Sequence, residues 1–173
     1  MTRYAAFLRG VNVGGVNLKM AQVAAALESA GFTNVKTILA SGNVLMDSRA
    51  GVDAVRKKAE KALRDGFGYD AWVLAYDLKT VQAISDAYPY DREVEGHHSY
   101  VTFVTDEDVL KELAALAKDA GPDEKIKRGK GVIYWQVPNK GTLDTTIGKT
   151  MGKKRYKSST TTRNLRTLDK VLK

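Results

Sequence analysis

The chain has 173 residues, 43% of them hydrophobic, which is the composition of an ordinary soluble globular protein. It contains no cysteine, and this excludes disulfides, thiolate metal ligands and cysteine nucleophiles. No apolar run approaches the roughly 18 residues that a membrane-spanning helix needs, and the N-terminus lacks the apolar stretch of a secretory signal. We therefore expect a cytoplasmic protein.

Positive charge is concentrated at the C-terminal end of the chain. Residues 125–173 hold 14 lysine and arginine residues but only two acidic ones, Asp144 and Asp169, so this part carries a net charge of +12. Residues 1–124 hold 14 basic and 18 acidic side chains, a net charge of −4. This asymmetry indicates an anionic partner for the C-terminal part, such as nucleic acid, a phosphorylated ligand or a membrane surface. The alternative is a solvated basic face that only aids solubility.

Apolar periodicity and glycine positions predict six elements and a following helix in the first half. They are a strand at 3–9, a helix at 18–30, strands at 35–40 and 43–47, a helix at 52–65, a strand at 71–76 and a helix at 78–87. The order β-α-β-β-α-β is that of a ferredoxin-like unit.

The polar residues 88–98 predict a linker, and a second series of elements follows it. The series comprises a strand at 100–105, a helix at 106–120 with Asp106 as N-cap, strands at 124–128 and 132–137, a short helix at 142–151, a short strand at 155–157 and a last amphipathic helix. The two halves share their element order but no residue-level repeat. We predict an α+β protein with two ferredoxin-like halves in tandem, an N-terminal subdomain over 1–87 and a basic α+β subdomain over 99–173.

A glycine-rich loop with polar side chains follows the first strand. In a ferredoxin-like unit the end of the first strand lies beside the beginning of the third, so this loop is expected to meet the turn at 41–43. Polar side chains that converge at strand ends are typical of binding sites. Turn chemistry is the alternative, since glycine and asparagine readily adopt a positive φ. The candidate residues are Arg9, Gly10, Asn12, Ser41, Gly42 and Asn43.

A run of hydroxyl side chains, 158–162, lies just before or at the start of the last helix and follows several basic residues. Hydroxyls and free amides at a helix N-terminus favour an anion site, whereas a run of N-cap residues is the alternative. The candidate anion-binding residues here are Lys149, Arg155, Thr161, Thr162, Arg163 and Asn164.

More specific functional motifs are incomplete in this chain. Gly148-Lys149-Thr150 ends like a phosphate-binding loop, but Leu143 occupies the position of the required first glycine. The third strand lacks the stacking aromatics of an RNA-recognition domain. The adjacent His97 and His98 would point in opposite directions on an extended chain, so we predict no metal site. We also predict no cofactor. The tryptophans in strands are predicted to be core residues, and the carboxylates on helices to be solvated.

The chain resembles the bacterial domain of unknown function 1697 family over essentially its whole length. The resemblance rests on three motifs, Arg9-Gly10-Val11-Asn12-Val13-Gly14-Gly15, Ala40-Ser41-Gly42-Asn43-Val44 and Thr161-Thr162-Arg163-Asn164. In that family an aromatic residue often follows the last motif, where this chain has Leu165. The resemblance implies a compact α+β fold with two ferredoxin-like halves, and it implies no activity or cofactor.

Three hypotheses about function follow. The first is a protein that binds an anionic partner, nucleic acid before others, through the basic C-terminal segment. The second is a small enzyme that acts on a phosphorylated or carboxylated metabolite, with an arginine or lysine as its anion ligand; no general base presents itself within the motifs. The third is a protein-interaction module, which would expose an apolar patch.

Overall fold

The computed structural model describes residues 1–9, 17–39, 42–139, 150, 153, 156 and 159–173. The chain is an α+β protein with two four-stranded antiparallel sheets. It divides into two compact units, of which the first comprises 1–82 and 169–173 and the second comprises 83–168. The first unit thus includes the last five residues, which the sequence had assigned to the second half.

Among its described residues, the first unit has four strands and two complete helices, and the third helix begins in it. Its elements are β1 (Thr2–Arg9), α1 (Met20–Ser29), β2 (Thr33–Ile38), β3 (Asn43–Ser48), α2 (Val52–Phe67), β4 (Trp72–Asp77) and α3 (Leu78–Asp86). The strand order is β2-β3-β1-β4, and each neighbouring pair is antiparallel. The apolar faces of α1 and α2 pack against one face of this sheet, around Val23, Leu27, Val55 and Leu63.

One helical carboxylate contradicts the prediction that these groups are solvated. Glu60 of α2 is only 8% exposed. Its Oε1 accepts a hydrogen bond from Arg56 at 3.0 Å, and its Oε2 accepts one from the backbone N–H of Val73 in β4 at 3.0 Å. The carboxylate therefore links a helix to a strand, and burial is tolerated because both oxygens are bonded.

A second carboxylate caps the beginning of α3. The backbone N–H of Thr80 donates to Asp77 Oδ1 at 2.8 Å, and this bond lowers the pKa of the Asp77 carboxyl. Because the folded pKa lies below the unfolded one, the stabilisation is complete above the unfolded pKa and is lost as the pH falls through the folded value. We expect Asp77→Asn to be less stable than the wild type at about pH 7, with a gap that narrows towards about pH 3. Urea midpoints at both pH values measure this, and a constant gap would contradict it.

The second unit contains the remaining strands. Its described elements are β5 (His97–Val104), α4 (Glu107–Ala115) with a 3₁₀ turn (Leu116–Asp119), β6 (Lys125–Arg128), β7 (Val132–Pro138), β8 (Thr160–Asn164) and the first half of α5 (Leu165–Leu172). The residues of α5 from 169 onward belong to the first unit. The strand order is β6-β7-β5-β8. Asp106 is confirmed as the N-cap of α4, since its carboxylate accepts from the N–H groups of Asp108 and Val109. The helix predicted at 142–151 and the strand predicted at 155–157 lie outside the described residues, apart from positions 150 and 156.

The core of the second unit lies between α4 and one face of its sheet. Leu113 and Ile133 are fully buried there, beside Trp135. The segment predicted as a linker packs against the other face, where the hydroxyl of Tyr88 donates to the carbonyl oxygen of Trp135 at 2.9 Å. None of the described helices has the length and hydrophobicity to span a membrane.

Candidate functional site

Arg9 is the last residue of β1 and pairs with Trp72 of β4. Its side chain is half-buried, and burial lowers the pKa of its guanidinium. Its Nε is buried and has no hydrogen-bond partner among the residues that the structure describes. A half-buried cation that lacks a full set of partners is costly, so Arg9 keeps its place among the candidate residues. Gly10 and Asn12, predicted with it, lie outside the described residues.

The turn between β2 and β3 lies beside the end of β1, as predicted. Phe7 pairs with Asn43, and the N–H of Leu8 donates to the carbonyl oxygen of Gly42 at 2.8 Å. Asn43 is fully buried, and its side-chain amide donates to the carbonyl oxygen of Ile38 at 2.9 Å. Gly42 has a φ of +88°. Both residues therefore have a role in building the turn itself, while Ser41 lies outside the described residues.

The hydroxyl-rich motif forms strand β8, immediately before α5, and pairs with β5. Arg163 is only 8% exposed, and its Nη1 donates to Thr161 Oγ1 at 2.8 Å and to the carbonyl oxygen of Thr162 at 2.9 Å. The hydroxyl of Thr162 is hydrogen-bonded to that of Thr102 at 2.8 Å. Asn164 Oδ1 accepts from the N–H of Thr167, so Asn164 caps α5. These groups are hydrogen-bonded within the protein, and the binding of an anion by them stays a prediction.

A row of exposed basic side chains lies on and after β6, the edge strand of the second sheet. Lys125, Lys127 and Lys130 are exposed, and Arg128 forms an ion pair with Glu107. The ammonium group of Lys125 lies 5.4 Å from the ring centroid of Tyr90. The predicted basic residues Lys149 and Arg155 lie outside the described residues.

The sequence analysis did not predict a groove that lies at one end of the strands of the second sheet. It has a volume of about 580 Å³ and is lined by residues of 92–99, by Asn139 after β7, and by 164–166 at the start of α5. His97 and His98, which the sequence placed in a linker, are the first residues of β5 and line it. Only tertiary contacts bring these three segments together. Within the described residues, no group of three or more histidine, aspartate or glutamate side chains has the geometry of a metal site.

Comparison with known proteins agrees with the α+β architecture and identifies the family. Residues 1–134 match the model of the family described as "Protein of unknown function (DUF1697)". The chain belongs to this family. The match includes the motifs at 9–15 and 40–44 but ends before the one at 161–164, whereas the sequence resemblance had been extended to about residue 172.

A solved structure has a similar fold. Conserved bacterial protein SP0830 from Streptococcus pneumoniae superposes with a TM-score of 0.82 and is 24% identical in sequence. The alignment covers 99% of this chain and 96% of that protein. At this identity the likeness concerns the fold alone. No curated protein matches the chain.

Proposed function

We propose that this protein binds nucleic acid through its basic C-terminal segment, residues 125–173. The observation that carries the proposal is the exposed row of cations on β6. Lys125 and Lys127 alternate along the strand and therefore project from the same face of the sheet, and Lys130 follows in the turn. None of the three forms an ion pair with a described carboxylate, so their charge is available to phosphate groups.

Tyr90 adds a second element of such a surface. Its ring lies under the ammonium group of Lys125 and contacts Tyr88 edge to face, with centroids 5.6 Å apart. Aromatic rings beside cations stack the bases of single strands while the cations follow the phosphates. The alternative is that lysines on this edge strand only prevent strands of other molecules from pairing with it. That role predicts no salt-dependent affinity for nucleic acid.

The test is a salt titration of binding to labelled single- and double-stranded DNA and RNA. We expect binding that weakens with salt, and a double variant Lys125→Ala/Lys127→Ala whose log–log salt slope on single strands is smaller by about 1.4. Lys57→Ala/Lys79→Ala is the matched control, because it removes two exposed lysines from helices of the first unit. Absence of binding at low salt, or equal weakening by both double variants, would refute the proposal. Arg163 is an unsuitable probe because its guanidinium is buried.

The interaction-module hypothesis has less support. In the described part of the chain, the exposed large hydrophobic residues are Met1, Leu39 and Val52, which come from three separate segments. An interaction module is expected to expose a contiguous apolar patch.

We further infer that each unit has ferredoxin-like topology. The strand order β2-β3-β1-β4, with every neighbouring pair antiparallel, supports this for the first unit, because it places β3 between the two strands of a split β-α-β. The equivalent order β6-β7-β5-β8 supports it for the second.

A further inference from the structure

We propose that the groove at the start of α5 binds a small zwitterion with a carboxylate and an ammonium group, of the amino-acid class. The groove lies wholly within the second unit, and its volume of about 580 Å³ is within the usual range for small-molecule sites. The groove lies at the end of the sheet where β5 begins and where β7 and β8 end. The β6 lysines on which the nucleic-acid proposal rests do not line this groove, so the two proposals can be tested separately.

The walls of the groove are held by hydrogen bonds. The guanidinium of Arg92 donates to the carbonyl oxygen of Ser85 at 2.8 Å and to its hydroxyl at 2.9 Å. The N–H of Asn139 donates to the carbonyl oxygen of Gly96 at 2.8 Å, which connects the end of β7 to the turn before β5. Because these groups are already ordered, little conformational entropy is lost when a ligand binds.

Arg166, in the first turn of α5, is the residue that would bind the carboxylate of the ligand. The Arg166 side chain is 81% exposed, and its Nε lies 3.7 Å from a carboxylate oxygen of Glu93, whose side chain is 76% exposed. An exposed pair of this kind contributes little to stability, so a ligand carboxylate can replace Glu93 at small cost. Arginine binds a carboxylate through two parallel hydrogen bonds, and the positive end of the helix dipole favours an anion at the same place.

The ammonium group of the ligand would be bound by Glu93, Glu95 and His97. His97 Nδ1 lies 3.1 Å from the carbonyl oxygen of Glu95, and a carbonyl oxygen only accepts. This contact is a hydrogen bond when Nδ1 carries the proton, and Nε2 of the neutral ring is then an acceptor. Two arginines and two glutamates line the groove, so its charge suits a ligand of both signs better than phosphate alone.

The experiment is a thermal-shift screen of the wild type with the common L-amino acids and with inorganic phosphate, followed by calorimetric titration of each amino acid that raises Tm. We expect at least one amino acid to bind at concentrations up to about 10 mM, and Arg166→Ala to weaken it at least about 10-fold. Arg49→Ala, which removes an exposed arginine from the first unit, is the matched control and should leave the affinity unchanged.

Two analogues of the bound amino acid separate a zwitterion site from an anion site. The amine without the carboxylate should not bind, and Glu95→Gln should weaken the amino acid more than it weakens the carboxylic acid without the amine. The proposal is overturned if no amino acid binds, if phosphate binds and amino acids do not, if Arg166→Ala matches the control, or if Glu95→Gln affects both ligands equally.

Discussion

Replacement of Trp135 by alanine should lower the free energy of unfolding by about 3–5 kcal/mol. Trp135 is 3% exposed in the core of the second unit. Its ring stacks on Tyr100 with centroids 4.3 Å apart, and its indole N–H donates to Thr102 Oγ1 at 2.9 Å. Alanine would leave a cavity beneath α4 and remove a donor from a buried hydroxyl. Urea denaturation followed by circular dichroism measures the change without relying on tryptophan fluorescence.

The other tryptophan provides a matched control. Trp72 also lies in a strand, but it is half-buried, and its ring lies 4.9 Å from the guanidinium carbon of Arg64. We expect Trp72→Ala to cost about 1–2 kcal/mol, because it loses one cation–π contact and part of its buried area. Equal losses in the two variants would contradict the placement of Trp135 in the core.

Gly42→Ala should destabilise the protein by about 2–5 kcal/mol, for two reasons that add together. The φ of +88° costs an alanine about 1–2 kcal/mol. A Cβ at this position would also lie 2.8 Å from the Cβ of the buried Leu8, and overpacking of this kind costs about 1–3 kcal/mol. Relief of the clash would move the turn and stretch the bond from the N–H of Leu8 to the carbonyl oxygen of Gly42. Chemical denaturation at neutral pH measures the loss.

Gly68→Ala separates the two causes. Gly68 follows α2 with a φ of +65°, and no atom lies within 4 Å of its added Cβ. This control should therefore show only the conformational cost, about 1–2 kcal/mol. If both glycine variants lost the same stability, the contact with Leu8 would not be the reason for glycine at position 42.

Much of the secondary structure was predictable because its signals are local. The apolar run at 4–8, the helical periodicity of 52–67 and the capping aspartate at 106 are each local signals. The structure has these elements within a few residues of the predicted bounds. The antiparallel pairing of the first and third strands was also predicted, because the element order limits the ways in which a split β-α-β can close.

The candidate sites were less predictable. Glu60 has the sequence context of a solvated helical carboxylate, and only its contact with the N–H of Val73 explains its burial. The hydroxyls of Thr161 and Thr162 resembled a helix start, but they are bonded to Arg163 and Thr102 within the sheet. Thr102 lies 60 positions from Thr162, and a hydrogen bond between strands so distant in the chain leaves no local pattern in the sequence.

The sequence by itself determined the α+β class, most of the element bounds, the meeting of β1 with the turn before β3, and the concentration of positive charge after residue 124. These follow from residue spacing and charge, which act over short stretches of chain. Only the tertiary structure decided which polar groups are bonded to one another and that Arg92, His97, Asn139 and Arg166 line one groove. The physical reason is that burial and hydrogen-bond partners depend on residues far apart in the chain. The groove, for example, is lined by both Arg92 and Arg166, which lies 74 positions later, and the lining comes together only when the sheet of the second unit forms.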